Sequence, residues 1–111
     1  MADDIETTQP APKKTPRKPD PVTQLLNDVR VEMKALGDLS IELHPDIKAQ
    51  HYDTRAAAWN RYYYKSETLD GLVLSLAFEA LAGLNDAERR YSLTQLAAAC
   101  LVAAERLDGG K

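Results

Sequence analysis

LVLSLAFEALAGLNDAERRYSLTQLAAACLVAAERL, residues 72–107, decides the fold. Leu72 to Ala82 is apolar nearly all round, with Glu79 as its lone charge, and the spacing is that of a helix needing cover on several sides. Gly83-Leu84-Asn85-Asp86 interrupts it as a turn. Asn85 precedes Glu88 by three residues, the pattern of a capping box, so a second helix is predicted from Asp86 to about Leu107, with Gly109 and Gly110 ending it. Leu96 to Ala104 is again apolar and rich in alanine, which lets neighbouring helices approach closely. The stretch is a helical hairpin, and the fold class that follows is all-α: an antiparallel bundle of about four helices built around it.

Upstream, Thr68 or Asp70 caps the first arm of the hairpin. Before it, Asp53 is placed to cap a helix through Ala56, Ala57, Ala58, Trp59 and Tyr62 to about Lys65. Residues 38–52 hold Ile41, Leu43, His44-Pro45-Asp46 and His51 without a sustained period, which predicts an ordered loop with one short turn. His44 and His51 invite a metal reading. Lying seven apart in a loop, with no cysteine and only Asp46 and Asp53 nearby, they make a poor ligand set. A first helix starts near Pro21, with Asp20 as its cap, and carries Leu25, Leu26, Val29, Met33 and Leu36 as one apolar stripe before Gly37 stops it.

Residues 1–20 form a separate tail. Five of the six prolines fall at or before Pro21, with almost no large apolar residues, a composition that predicts disorder. Its Lys13-Lys14-Thr15-Pro16-Arg17-Lys18 run reads either as a solubilising tail or as a grip on an acidic partner or nucleic acid. Residues 21–108 are the folded domain, and residues 109–111 a C-terminal tail.

Composition narrows the function classes. The net charge is −3, and residues 1–21 cancel internally, so the domain carries all of it. Nucleic-acid binding by the folded part is disfavoured, because phosphate contacts draw on clustered Lys and Arg. Cys100 is the only cysteine, which permits no internal disulfide and points to a reducing, cytoplasmic setting. No stretch has the length and apolarity of a membrane span or a secretory leader. A domain this small buries only about 60–65% of its unfolded surface, so a homo-oligomer is expected.

Glu79 is the residue to explain. At about 1.5 Å per residue, counting back from the turn places it level with Tyr91 and Ser92, and Leu76 level with Gln95. It shares a face with Leu72 and Leu76 and so points towards the interior, where an unpartnered carboxylate costs several kcal/mol. Trp59, Tyr62, Tyr63 and Tyr64 supply core and interface area. Of these, Trp59 with Tyr62 is the pair suited to stacking a nucleobase, since consecutive tyrosines diverge around a helix.

Leu43-His44-Pro45-Asp46, Phe78-Glu79-Ala80-Leu81-Ala82, Leu93-Thr94-Gln95-Leu96-Ala97-Ala98-Ala99 and Ala104-Glu105-Arg106-Leu107-Asp108 together resemble the MazG-like all-α nucleoside triphosphate pyrophosphohydrolases, in the form common among actinobacterial and phage proteins. The resemblance implies phage or mobile-element origin and a site in which an E-x-x-E and an E-x-x-D pair hold Mg²⁺ against a triphosphate. Carried onto this chain, the pairs fall on Leu76 and Glu79, and on Ser92 and Gln95. Glu79 alone is a carboxylate, a vestigial metal ligand with Ser92 and Gln95 as polar partners, and no residue is assigned a catalytic role. The expectation is a catalytically impaired scaffold serving as an oligomeric protein- or nucleotide-binding module. The alternative is an active Mg²⁺-dependent pyrophosphohydrolase with a rearranged or inter-subunit acidic site.

Overall fold

The computed structural model describes residues 20–109, which form four α-helices and, among the described residues, no strand. The expected disorder of the tail falls on residues 1–19, outside the described residues. Helix α1 spans Pro21–Leu36, α2 Ala49–Ser66, α3 Leu69–Ala82 and α4 Asp86–Leu107.

Local chemistry sets most of these boundaries. Asp20 Oδ1 accepts the Thr23 amide at 2.8 Å, and that N–H holds the Asp20 carboxyl below its usual value. Gly37 ends α1 at φ 60, ψ −131, a backbone region essentially reserved for glycine. Asn85 Oδ1 accepts the Glu88 amide at 2.9 Å, while Glu88 Oε1 reaches back past the cap residue to the Leu84 amide at 3.0 Å. The hairpin turn is thus clasped from both ends.

One boundary differs from expectation. Helix α2 begins at Ala49, so His51 is helical and Asp53 lies in the second turn rather than capping it; the N-cap is Lys48, whose side chain makes no capping bond. Ala49, Gln50, His51 and Tyr52 contain no helix breaker, and a partner-rich helix extends until its neighbours stop it. Thr68 is the N-cap of α3, one of the two residues expected there, but it does not cap with its hydroxyl. Its Oγ1 donates to Asp70 Oδ1 at 2.6 Å, which lowers the Asp70 carboxyl from its usual value.

The helices pack in the order α2, α3, α4, α1, each touching only its neighbours in that row. The hairpin is therefore central, as its composition requires, but the row does not close on itself. Among the described residues every buried one, Ala56, Gly71, Ser75 and Ala80, belongs to α2 or α3. All four are small, so these two helices approach closely. A Cβ on Gly71 would stand 3.1 Å from the Tyr63 Cα.

Helix α1 contributes no buried residue, and α4 none either. The expected α1 stripe exists, yet only Leu25 is even half-buried. Among the described residues no helix is long and apolar enough to cross a membrane.

Candidate functional site

Glu79 lies in the last turn of α3, at the negative end of that helix's dipole, where a carboxylate needs a compensating donor. The donor is Asn60 of α2, whose Nδ2 reaches Glu79 Oε2 at 2.8 Å. Glu79 is half-buried and Asn60 exposed, so the carboxylate keeps access to water. The interior placement read from its helical face is corrected accordingly: because the row of helices is open, that face borders a cleft, and the full desolvation cost does not arise.

The cleft has a volume of about 260 Å³ and lies where the α3–α4 turn meets α2. Tyr91 and Ser92 line it with Glu79, the neighbours that the antiparallel register assigns. Leu76 and Gln95 do not line it; Gln95 Nε2 instead faces Tyr91 Oη at 3.5 Å, the long limit of a hydrogen bond. Asp53 and Glu88 do line it, and both continue into an adjoining cleft of about 390 Å³ with Gln50 and Leu84. Three carboxylates from three helices therefore border one concavity. Glu88 is tied to the turn through the Leu84 amide, and Glu79 to Asn60.

The donor set does not fit the pair of Mg²⁺ ions that the family resemblance implies. Of the four positions carried over, Leu76 has no donor, Ser92 and Gln95 offer neutral oxygens, and Glu79 already accepts an amide N–H. Among the described residues no three His, Cys, Asp or Glu side chains come together closely enough to hold an ion. Mg²⁺ takes hard oxygen ligands in strict octahedral geometry, and carboxylates that only border an open cleft do not supply it.

The remaining candidates lie elsewhere. Trp59 and Tyr62 meet edge to face, with ring centroids 5.3 Å apart and an interplanar angle of 83°. Neither lines the Glu79 cleft, and Tyr62 abuts α3 at Gly71. His44 Nδ1 accepts the Asp46 amide at 3.2 Å within its own turn, whereas His51 Nδ1 lies 3.4 Å from Arg55 one helical turn along α2. The two histidines thus serve separate local structures.

Asn60 and Arg89 escaped the sequence reading. Arg89 donates from Nη2 to the Ile41 carbonyl at 2.7 Å, fastening the loop before α2 onto α4. Its aliphatic stem lies against Gly83, where an added Cβ would sit 2.7 Å from the Arg89 Cγ. Both are single polar residues whose partners are far away in the chain, so spacing alone offers no signal for either.

Comparison of the chain with protein-family models, curated proteins and solved structures finds no match.

Proposed function

We propose that the chain is a catalytically impaired MazG-like helical scaffold of phage or mobile-element origin that acts as an oligomeric protein- or nucleotide-binding module. The observation that carries this reading is the state of Glu79. It borders one cleft with Ser92, where a metal-binding relative would present a carboxylate, and the neutral amide of Asn60 donates to its Oε2. A triphosphate with its metal ions needs several anionic ligands, and one half-buried carboxylate does not replace them.

The test is pyrophosphate release from a panel of common and modified nucleoside triphosphates with Mg²⁺, for the native chain and Glu79→Gln. No turnover in either is expected. Activity that disappears in Glu79→Gln overturns the reading. Nucleotide binding measured with and without Mg²⁺ then separates a nucleotide-binding module from a protein-binding one.

A second reading, a working Mg²⁺-dependent pyrophosphohydrolase with a rearranged or inter-subunit acidic site, is favoured by one observation: Asp53 and Glu88 border the same cleft as Glu79. It requires both to leave their present surroundings and converge. Loss of Mg²⁺-dependent turnover in Asp53→Asn as well as Glu79→Gln would support it.

A further inference from the structure

Helix α1 and the loop after it are joined to the rest of the domain by very little. No residue of α1 is buried, and α4 is the only helix it touches. That contact is incomplete, because a groove of about 430 Å³ runs between Leu25, Val29 and Met33 on one wall and Ala97, Leu101 and Ala104 on the other. Side chains that face a gap forfeit the dispersion contacts of close packing. What remains is polar. Among the described residues, the bond from Arg89 Nη2 to the Ile41 carbonyl is the only hydrogen bond that joins residues 20–47 to the rest of the chain.

Arg89 is placed to carry that connection. Its side chain is 23% exposed, so the bond is partly sheltered from water, and at 2.7 Å it is a short, charge-assisted one. Asp86 Oδ1 stands 3.9 Å from Nη1, beyond hydrogen-bond range, and does not compete for the guanidinium. Gly83 leaves the space that Arg89 occupies. At φ −58 and ψ 137 its backbone suits any residue, yet a Cβ there would stand 2.7 Å from the Arg89 Cγ and 3.0 Å from its amide nitrogen. With Ile41 held on α4, only residues 37–40 separate that anchor from the end of α1; without it, the tether runs back to α2, and a longer tether holds α1 less closely. The segment meets α2 at Lys48, an N-cap with no side-chain capping bond, and an uncapped first turn frays readily.

We infer that α1 and the loop through Ile41 form a strap that opens as one unit, turning at Lys48 and latched by Arg89, and that its release uncovers the face of α4 carrying Ala97, Leu101 and Ala104. The device is independent of the function proposed above. Hydrogen–deuterium exchange of the full chain, read by mass spectrometry, tests it. In the native chain the α1 amides are expected to exchange together, ahead of those of α2 and α3 and with a smaller urea dependence, since the opening exposes less surface. Arg89→Met keeps the aliphatic stem and removes the donor; it should speed α1 exchange ~5-fold and leave α2 and α3 unchanged. Arg90→Met, at the exposed next residue, should alter neither. Exchange of α1 at the pace and urea dependence of α2 and α3 overturns the strap. A native rate in Arg89→Met overturns the latch, and so does an equal rise in α2 and α3 or the same acceleration by Arg90→Met. If Arg89→Met loses helicity by circular dichroism, Arg89→Lys takes its place, because its ammonium falls one bond short of the carbonyl; a native α1 rate there refutes the latch.

Discussion

The bond from Asn60 to Glu79 links α2 to α3 and distinguishes an anchored carboxylate from a waiting metal ligand, so its energy is worth measuring. A hydrogen bond to a charged group contributes about 1.5–3 kcal/mol when sheltered from solvent. Asn60 is exposed and Glu79 half-buried, which argues for a value below that range, about 1 kcal/mol. The single variants conceal this value. Asn60→Ala loses the bond but gains roughly 0.5 kcal/mol of helix propensity within α2, so its net effect is close to ~0.5 kcal/mol. A double-mutant cycle of Asn60→Ala and Glu79→Ala cancels the propensity changes and leaves the coupling. Urea unfolding of the four proteins, followed by circular dichroism at one fixed protomer concentration, should give a coupling of about 1 kcal/mol. A coupling below ~0.3 kcal/mol would refute the anchoring argument and leave Glu79 free to ligate. Repeating the cycle in excess Mg²⁺ sharpens the distinction. Saturating a true site at a hundred times its dissociation constant would stabilise the native chain by about 2.7 kcal/mol, whereas an anchored Glu79 predicts no change.

Three further outcomes are expected. Gly71→Ala places a Cβ 3.1 Å from the backbone of Tyr63, so overpacking of ~1–3 kcal/mol should outweigh a propensity gain of at most ~1 kcal/mol; thermal unfolding should show net destabilisation. Glu67 holds φ 53 and ψ 38 as the C-cap of α2, so Glu67→Gly should stabilise the chain by ~0.5–1 kcal/mol in the same measurement. Asp20 and Asp70 both have folded-state pKa values below those of the unfolded chain, the first through the Thr23 amide and the second through the Thr68 hydroxyl. Their contributions are complete above an unfolded pKa of about 4 and disappear as pH falls through the lower folded values; Asp20→Asn with Asp70→Asn should flatten the acid limb of the melting temperature between about pH 5 and 2.

The readable parts of this chain are those set by neighbouring residues. Asp20, Gly37 and Asn85 mark helix ends because caps and left-handed stops act within three or four residues, and all three act where the sequence places them. The start of α2 was not readable, since Lys48 provides no side-chain cap and Asp53, the better capping residue, is drawn into the helix. The register of the hairpin brought Glu79 to Ser92 and Tyr91, because two helices joined by a tight turn have little freedom to slide. Asn60 was beyond reach: its bond to Glu79 depends on how α2 lies across α3, which no local pattern encodes. The apolar stripe on α1 was equally plain in the sequence, but periodicity reports only that a face needs cover, not which chain supplies it.

The attachment of α1 to α4 alone also bears on how the chain unfolds. A 16-residue helix that buries none of its residues is marginal by itself in water, so α1 has little to hold it once separated from its surroundings. Its amides should exchange with solvent deuterium well before those of α2 and α3, through an opening that leaves the rest of the fold intact. Helicity at the N-terminal end of the domain would then be lost ahead of the rest on mild heating, since α1 is held by α4 alone.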